Sequence, residues 1–540
     1  MKTTLLKLAA TLAAFAPCIR AAEDVPVNAD GAQRFDVLEY RVLGNTVLAA
    51  EDIERALYPQ LGTGKQLADV EATRALLENA YRAAGYPTVF VDIPEQDTAD
   101  GVIRLKVTEG RLERTRVAGA RYFSGRQIKA ALPDAAVGTV PHLPSLQQEL
   151  AAVNAQSPDR TVTPVLAQGR DPGTMGLSLN VDDKLPLHGH LEVNDQYTSN
   201  TTRYRAIAAV SYDNLFNRLD SLSAQIQTAP EDTHEARVWA ASYTTRLGAA
   251  NRLSAFYVNS DSNVAAVGDA GSSIDVLGKG AIYGLRFIRT LSADAAATHV
   301  LIFGLEYKDF NESVFAQDVL QTPVSYINAS LGHVSAWRGD ERQWSLASTV
   351  NFGLRGRYND PLEFAEKRFR GRPNYFYLRA DGSLLQRLPL GMSLRFRAGG
   401  QYAVESLISN EQLSIAGADG VRGYLEAEVL GDVAIKASAE LALPRLALGP
   451  GNAQAFAFVD GGRIERLNPL RAQDPRTGAL LEFLEPPRVT IASVGAGVDL
   501  SLWDFLNANL VWAYALRDAP GTHATQAHDS RLHFTLRTTW

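Results

Sequence analysis

The feature that most constrains the fold of this chain is a regular series of short predicted strands over residues 187–540. Helical periodicity stops near residue 187, and segments of about ten to fifteen residues with in–out alternation follow, separated by Gly-, Asn-, Asp- and Pro-rich breaks. We predict sixteen strands, at 188–196, 202–212, 219–228, 235–246, 251–260, 280–290, 298–309, 325–337, 342–356, 374–388, 391–405, 431–443, 453–463, 489–502, 506–517 and 530–540.

The gaps between these strands alternate in length. They are long after strands five, seven, nine, eleven, thirteen and fifteen, and short after even-numbered strands, as at 247–250 and 389–390. Short turns at one end and long loops at the other are typical of a transmembrane β-barrel with an even number of antiparallel strands. The alternative, a soluble β-sandwich, has no reason to keep this parity. We therefore predict an all-β transmembrane barrel of about 16 antiparallel strands.

The last predicted strand shows the alternation of side chains most clearly. One face is apolar apart from Thr538 and consists of Leu532, Phe534, Leu536 and Trp540. The other face is polar and consists of Arg531, His533, Thr535, Arg537 and Thr539. A strand between lipid and a wet lumen needs this pattern, and closure of the barrel satisfies backbone groups without exposed edges.

Residues 35–183 have the pattern of two small α/β modules, 35–110 and 111–183. We predict strands at 35–42, 88–93, 102–108, 112–117, 161–166 and 175–181, and helices at 51–58, 67–84, 124–131 and 146–154. In the second helix Val70, Leu77, Tyr81 and Ala84 form an apolar stripe, which we expect in the core. This β-α-α-β-β order, repeated, resembles the POTRA domain. Such sheets leave a strand edge that either pairs with an extended client chain or is only solvated.

Residues 1–22 are predicted to be a secretory signal peptide, because lysines precede an apolar run at 8–16 and small residues at 21–22. The alternative is a short N-terminal helix. The single cysteine, Cys18, lies in this segment, so the mature chain would carry no disulfide and no thiol metal site. No later run of 18 apolar residues occurs, and we expect no membrane-spanning helix.

Two glycine-rich stretches carry the candidate site. Gly417–Tyr424 is predicted to lie in the sixth outer loop (406–430), and its one cation is Arg422. Phe458–Gly462 is a predicted strand that points Asp460 into the lumen. A loop of this length can fold back into a sixteen-stranded barrel, and a guanidinium can bind a carboxylate through two parallel hydrogen bonds. The alternative is that Arg422 is a solvated loop arginine and Asp460 a polar strand-end residue.

These stretches carry a family resemblance. The loop resembles the VRGY motif of the sixth loop in POTRA-plus-barrel translocases, in the order Val421, Arg422, Gly423, Tyr424. The strand resembles their F-x-D-x-G motif, through Phe458, Asp460 and Gly462. With two POTRA-like modules and a barrel at 187–540, the chain resembles the TpsB transporters of two-partner secretion, of the haemolysin secretion/activation type. The region 194–220 also resembles their first barrel strands.

The resemblance implies a Gram-negative outer-membrane pore that exports an unfolded, large β-helical exoprotein from the periplasm to the cell surface. The partner would be a TpsA-like exoprotein with an N-terminal secretion domain, captured by periplasmic POTRA domains. Arg422 would pair with Asp460 and hold the loop inside the pore. Phe534, Leu536 and Trp540 would form the C-terminal assembly signal through which the barrel-assembly machinery inserts the chain.

One departure from the family pattern concerns a plug helix. Many relatives carry such a helix and a linker before the first POTRA module, whereas here only residues 23–34 separate the predicted signal from Phe35. We therefore expect no plug helix, and the folded loop would be the main obstruction of the resting pore.

Three other functions remain as alternatives. A barrel-assembly or insertion factor would share the loop motif but usually carries three or more POTRA modules. A passive porin or receptor would leave residues 35–183 without a purpose. An enzyme on a barrel is disfavoured, because no G-x-S-x-G or H-E-x-x-H motif occurs.

No cofactor, metal or nucleic acid is expected. The net charge of −7 argues against a nucleic-acid partner. Gly62–Lys65 resembles a phosphate-loop fragment but lacks the following Ser or Thr, and we expect a turn between helices. His188 and His190 share a strand face without a third ligand, so we expect them to be polar lining. The same applies to His523, His528 and His533.

Overall fold

The computed structural model describes residues 34–199, 201–233, 236–261, 265–267, 274–276, 278–294, 296–311, 323–356, 358–473, 480–483, 485–521 and 524–540. The predicted signal peptide with Cys18, the predicted absence of a plug helix and His523 lie outside these residues. The chain divides into two compact units: residues up to 120, 125–155 and 161–182, and residues 121–124, 156–160 and 183–540.

The first unit contains two modules of mixed α/β structure. The first has, in order, β1 (Phe35–Val37), β2 (Glu39–Leu43), α1 (Ala50–Leu57), a 3-10 turn (Tyr58–Gln60), β3 (Gly62–Lys65), α2 (Leu67–Ala83), β4 (Val89–Asp92) and β5 (Val102–Glu109). The second has β6 (Arg111–Ala118), α3 (Gly125–Ala130), a 3-10 turn (Pro133–Ala135), α4 (Leu143–Asn154), β7 (Arg160–Gln168) and β8 (Thr174–Asp183). Their sheets have the orders β2-β5-β4 and β6-β8-β7. In each of these sheets the strand that comes first in the chain and the strand that comes last are parallel neighbours, β2 with β5 and β6 with β8.

The apolar stripe of α2 lies in the core of the first module, as its helical spacing predicts. Val70, Leu77 and Tyr81 are each at most 1% exposed, and Ala84 packs against the same cluster. Burial of these side chains holds the helix on its sheet.

Two local predictions in the first module are wrong. Residues 35–42 do not form one strand, because the chain breaks at the exposed Leu38, and β1 pairs with β3 while β2 pairs with β5. Gly62–Lys65, expected as a turn, is strand β3 itself. Its backbone groups are satisfied by β1 and by the Asp36 carboxylate, which accepts a hydrogen bond from Gly64 N at 2.9 Å. Tertiary pairing thus overrides the local glycine signal.

The second unit is a closed antiparallel barrel. In chain order its strands are β9 (Leu187–Asn194), β10 (Arg205–Leu215), β11 (Asp220–Thr228), β12 (Arg237–Arg246), β13 (Asn251–Asp261), β14 (Ala265–Val267), β15 (Ile274–Val276), β16 (Gly280–Ala293), β17 (Ala297–Phe310), β18 (Val324–Arg338), β19 (Arg342–Gly353), β20 (Phe376–Arg387), β21 (Ser393–Ala403), β22 (Leu413–Ser414), β23 (Leu430–Gly431), β24 (Val433–Ala442), β25 (Leu446–Leu448), β26 (Gly451–Glu465), β27 (Arg471–Gln473), β28 (Leu480–Phe483), β29 (Arg488–Leu502), β30 (Leu506–Ala515) and β31 (Ser530–Thr539).

The wall of the barrel has sixteen strands, which confirms the predicted fold class. Strand β25 continues β24 along the same neighbour, β26. The pairs β14–β15, β22–β23 and β27–β28 form separate two-stranded sheets that are not part of the barrel wall. Closure is made by β31 against β9, with Thr535 opposite Asn194 and Thr539 opposite His190. Each described wall strand overlaps one of the predicted strands, except β25, which lies between the predicted strands 431–443 and 453–463.

The outer loops contain structure that the sequence pattern did not reveal. Helix α5 (Pro361–Lys367) begins at Asp360, whose side chain accepts a hydrogen bond from Leu362 N at 2.8 Å. Its Phe364 is 1% exposed. A short 3-10 turn occurs in the sixth outer loop at Ser409–Glu411, and another occurs at Pro389–Gly391, in a short turn at the other end of the barrel.

Side chains on the wall separate into an apolar outer face and a polar lumen face. On β31 the apolar members Leu532 and Leu536 are 48% and 43% exposed, whereas His533 between them is 9% exposed. Exposed apolar side chains on the outside of a closed barrel match a lipid-facing band. None of the helices in the described part of the chain is long and apolar enough to cross a bilayer.

Candidate functional site: an arginine-bearing loop packed into the barrel

The sixth outer loop, residues 404–432 between β21 and β24, packs against the barrel wall. Ile415, Val421, Tyr424 and Val429 are all 0% exposed. Together with wall residues they form one apolar cluster, completed by Leu413, Ala416, Ala434, Ile464, Val489, Ile491, Ala515 and Ala519. Burial of several large apolar side chains stabilises this position of the loop, at roughly 1.5–3 kcal/mol for each side chain.

Arg422 meets Asp460 of β26 through a two-point contact. Its Nε donates to Asp460 Oδ2 at 2.7 Å and its Nη2 donates to Oδ1 at 2.9 Å. The backbone N–H of Arg422 also donates to Oδ2, at 3.2 Å. Arg422 is 6% exposed and Asp460 1%. Parallel hydrogen bonds between buried opposite charges are the strong form of this interaction.

The guanidinium has three further neighbours on the wall. Nη1 donates to Glu440 Oε2 at 3.2 Å and Nη2 donates to Ser438 Oγ at 3.1 Å, both from β24. The Arg422 Cζ atom lies 3.4 Å from the ring centroid of Phe458, a cation–π contact. Glu440 also accepts from Arg395 Nη1 at 2.7 Å, so the carboxylates and cations of this cluster are mutually compensated.

The two residues after Arg422 attach the loop to the last strands. Gly423 has φ +94°, a conformation that favours glycine, and its N–H donates to His533 Nε2 at 3.1 Å. The Tyr424 hydroxyl lies 2.7 Å from the Arg517 carbonyl oxygen and 3.0 Å from that of Ala492. The four loop-motif residues therefore reach strands on both sides of β26.

The last glycine of the wall motif allows close approach of the loop. A Cβ atom at Gly462 would lie 3.2 Å from Ile415 Cβ and 3.1 Å from Ile415 Cδ1. Those distances are tighter than ordinary van der Waals contact, so the loop packs here against bare backbone.

A second contact holds the first arm of the loop on a different part of the wall. Glu411 is 2% exposed. Its Oε1 accepts from Lys308 Nζ at 2.7 Å and from the Tyr326 hydroxyl at 2.5 Å, and its Oε2 accepts from the Tyr377 hydroxyl at 2.7 Å. Burial opposes ionisation, but Lys308 and the two hydroxyls hold the pKa of Glu411 below its usual range.

Two other loop carboxylates fix the fold of the loop. Glu426 Oε1 accepts from Ala418 N at 2.7 Å, and burial raises the pKa of Glu426 to about 7. Glu428 accepts from Leu425 N at 2.7 Å and from Thr525 N at 2.5 Å. The second of these bonds connects the sixth loop to the last outer loop.

The lumen beside the arginine is polar. A cavity of about 210 Å³ is lined by polar and charged side chains, including Asp195, Arg397, Asp419, Arg422, Glu440 and His533. A space of this size and polarity can hold several waters. The Arg422 cluster is thus buried in protein on one side and borders a wet compartment on the other.

The residues predicted as a C-terminal assembly signal lie at the closure of the barrel. The N–H of Phe534 donates to Asp195 Oδ1 at 2.9 Å. Leu536 and Trp540 are 43% and 56% exposed. The backbone of Trp540 exchanges two hydrogen bonds with Gly189 of β9, at 3.1 and 3.2 Å.

The histidines considered for metal binding lie apart from one another or pair with other groups. His188 Nε2 lies 2.8 Å from Asp159 Oδ2, and His190 Nε2 lies 3.1 Å from Arg537 Nη2. Among the described residues no group of three or more His, Cys, Asp or Glu side chains could hold a metal ion.

Sequence reasoning missed several members of the site. Glu440 and Ser438 alternate with alanines on a predicted strand, which was a signal for lumen-facing polar residues. His533 was considered only as polar lining. Glu411 carried no local signal, because its partners come from β17, β18 and β20.

Comparison with known proteins gives matches across most of the chain. A family model described as haemolysin secretion/activation protein ShlB/FhaC/HecB matches residues 173–484, and one described as POTRA domain, ShlB-type, matches residues 35–110. The outer membrane transporter CdiB of Dickeya dadantii (strain 3937) is 24% identical over 482 residues, which are 84% of this chain and 81% of the relative. The heme/hemopexin transporter protein HuxB of Haemophilus influenzae (strain 86-028NP) is 21% identical over 403 residues, 72% of this chain and 69% of the relative.

Two solved structures share the fold at low sequence identity. CdiB from Escherichia coli aligns with a TM-score of 0.57 at 18% identity, covering 96% of this chain and 93% of that chain. BamA from Haemophilus ducreyi lacking POTRA domains 1-3 aligns with a TM-score of 0.55 at 12% identity, covering 94% of this chain and 100% of that chain.

Proposed function

This chain belongs to the haemolysin secretion/activation protein ShlB/FhaC/HecB family of two-partner outer-membrane transporters, and from this premise we propose that it exports one large secreted partner protein. The barrel lies in the bacterial outer membrane and the POTRA region in the periplasm. The proposed client is an unfolded, mostly β-helical exoprotein of the TpsA type, recognised by its N-terminal secretion domain.

The proposed division of labour follows the predicted domain boundaries. Residues 1–22 direct export, residues 35–110 and 111–183 are the two POTRA domains, and residues 187–540 form the conduit. Phe534, Leu536 and Trp540 act as the assembly signal for the barrel-assembly machinery. The pairing of this last strand with β9 supports that role, because the signal is also the piece that completes the wall.

Capture of the client is proposed to occur on open strand edges of the POTRA region. In the two sheets β4 and β7 are edge strands. Their exposed apolar residues are Phe90 at 52%, Val165 at 45% and Leu166 at 36%. Exposed edges with apolar side chains are suited to pairing with an extended chain.

The observation that carries the proposal is the buried Arg422–Asp460 contact. Because it holds a loop inside the lumen, the resting pore is obstructed while the wall stays closed. A conduit that passes a protein needs such a removable obstruction, since an open sixteen-stranded lumen would leak small solutes.

The test is deletion of the gene, followed by fractionation of cells and culture medium. In the deletion strain one large exoprotein should disappear from the cell surface and the medium. In the periplasm it should either accumulate or be lost. Restoring the intact chain should restore that exoprotein, whereas Arg422→Ala should insert normally and restore little of it. If every secreted protein is unchanged and outer-membrane barrels are depleted instead, the chain is an insertion factor rather than an exporter.

A further inference from the structure

A polar patch interrupts the apolar outer wall of the barrel at the ends of β16–β19. The alternation of side chains along each strand places this patch on the outer face of the barrel. Arg286, Glu306, Asn328 and Thr349, one from each of these strands, line a second cavity of about 720 Å³ in the lumen. Residues an odd number away face lipid, as the 44% and 47% exposed Leu331 and Phe303 do. The patch consists of Arg289, His299, His333, Trp337, Arg342 and Trp344.

Two imidazoles form the centre of this patch. The rings of His299 and His333 stack with centroids 5.7 Å apart and planes 11° apart. Both meet one hydroxyl, since Ser335 Oγ lies 3.0 Å from His299 Nδ1 and 3.2 Å from His333 Nε2. Trp337 packs edge-on to His299, with centroids 5.0 Å apart, and stacks on Trp344.

The hydrogen-bonding capacity of the imidazoles exceeds what the protein offers. Three ring nitrogens, His299 Nδ1 and both of His333, lie near the single Ser335 hydroxyl, and in the described part of the chain neither ring has another hydrogen-bonding partner. A lipid-facing polar group without a hydrogen-bonding partner is destabilising. The remaining nitrogens therefore need a polar partner that the surrounding membrane supplies.

The depth of the patch identifies the kind of partner. Short turns mark the periplasmic end of a barrel, and the patch lies next to two short connections, the one between β16 and β17 and the one between β18 and β19. Stacked tryptophans at a strand end are typical of the headgroup level of a bilayer. The patch therefore lies at the headgroups of the inner leaflet rather than in the hydrocarbon.

The charge of the patch selects among headgroups. Arg289 lies opposite Leu301, two residues from His299, and is exposed. Arg342 lies two residues from Trp344 and bonds only the neutral Gln386 side chain. Neither arginine has an ion-pair partner among the described residues, and an acid that interacts electrostatically with His299 is Asp294, in the adjoining turn. Unpaired cations at this depth favour a net negative headgroup.

We propose that this patch binds the phosphate of an anionic phospholipid in the inner leaflet. The imidazoles donate to the phosphate oxygens, the arginines supply the compensating charge, and the tryptophans pack against the glycerol and upper acyl chain. The site is independent of the export pathway, because all six side chains face away from the lumen.

The experiment uses the purified full-length chain in detergent micelles that contain brominated phosphatidylglycerol or brominated phosphatidylcholine. Bromine quenches nearby tryptophan, and the signal of Trp337 and Trp344 is isolated by subtracting that of the Trp337→Phe/Trp344→Phe variant. Half-maximal quenching is expected at about tenfold lower mole fraction of phosphatidylglycerol than of phosphatidylcholine. Equal quenching by the two lipids in the unaltered chain overturns the proposal without any further variant.

The matched variants separate the patch from a general membrane effect. His299→Phe/His333→Phe with Arg289→Gln keeps the outer face aromatic and should abolish the preference for phosphatidylglycerol. Tyr257→Phe/Tyr283→Phe, a pair of tilted neighbouring rings on the same outer wall, should leave it intact. Persistence of the preference in the triple variant, or its loss in the tyrosine variant, contradicts the assignment. Displacement of the lipid signal by inorganic phosphate alone would indicate a free-phosphate site and overturn the lipid assignment.

Discussion

Removal of the Arg422 side chain should release the sixth loop from the wall without unfolding the barrel. In Arg422→Ala the Asp460 carboxylate, 1% exposed, keeps only the backbone N–H of residue 422. Glu440 retains Arg395 at 2.7 Å, so Asp460 is the stranded charge. Breaking one side of a buried pair costs about 3–5 kcal/mol. The docking equilibrium should therefore shift by about a hundredfold to several thousandfold toward the released loop.

Single-channel recording in planar bilayers measures that shift directly. The unaltered chain should be closed for most of the record, and Arg422→Ala should show frequent large openings. Arg422→Ala/Asp460→Ala should be quieter than the single variant, because no charge is left unpaired. The control is Arg488→Ala, which removes an exposed pair with Glu465 (59% and 41% exposed) and should leave the docking equilibrium nearly unchanged.

Two results would refute this reasoning. One is an Arg422→Ala chain that is as silent as the unaltered protein and secretes at the normal level, since the contact would then hold nothing. The other is a double variant that opens more than the single variant, since the stranded carboxylate would then not be the source of the cost. Heat-modifiable migration on gels checks that each variant barrel has folded.

Three further outcomes test other parts of the site. Glu411→Gln should reduce the free energy that docks the first arm of the loop by about 1–3 kcal/mol and should speed proteolysis within 404–432. Glu363→Gln on α5 should change neither. Equal cleavage rates in the two variants would contradict the second contact. Gly462→Val should make the free energy of docking less favourable by about 1–3 kcal/mol, because Ile415 occupies the space that the new side chain needs. Gly461→Val is the control and should have no effect on docking, because a Cβ atom there meets only a carbonyl oxygen 4.0 Å away. Because the pKa of Glu426 is raised to about 7 when the loop is docked, ionisation of Glu426 opposes docking. The free energy of docking should therefore become less favourable by at most about 3 kcal/mol as pH rises from about 4.5 to about 7, and should not change further above pH 7. Glu426→Gln should remove this dependence, and a pH profile unchanged by that substitution would show that another group titrates.

The strands of the barrel could be read from the sequence because each one carries its own signal. Alternation with period two and breaks of Gly, Asn, Asp and Pro are local properties, and lipid on one side enforces them strand by strand. The same reasoning failed at Gly62–Lys65, where pairing with Phe35–Val37 decides the structure. Helix α5 was missed because seven residues between loops give too little periodicity to recognise.

Only part of the candidate site could be predicted from the sequence. Arg422 and Asp460 stand out because a charge among glycines or on an apolar strand is visible locally. The partners Glu440, His533 and Lys308 depend on which wall strand the loop crosses, and that path is set by register and barrel curvature. Glu411 looked like one more acidic residue in a polar loop until its three partners were placed around it.

Attachment of one loop to two separated arcs of the wall has a mechanical consequence. Glu411 binds to β17, β18 and β20, while Arg422 binds to β24 and β26 and Gly423 to β31, so the loop connects separated arcs of the wall as an internal strut. A strut fixes the distance between the arcs it joins and thereby the cross-section of the cylinder. Any cargo that needs a rounder or wider bore requires that one end of the strut first detach from the wall. The diameter of the barrel and the position of the loop are therefore coupled.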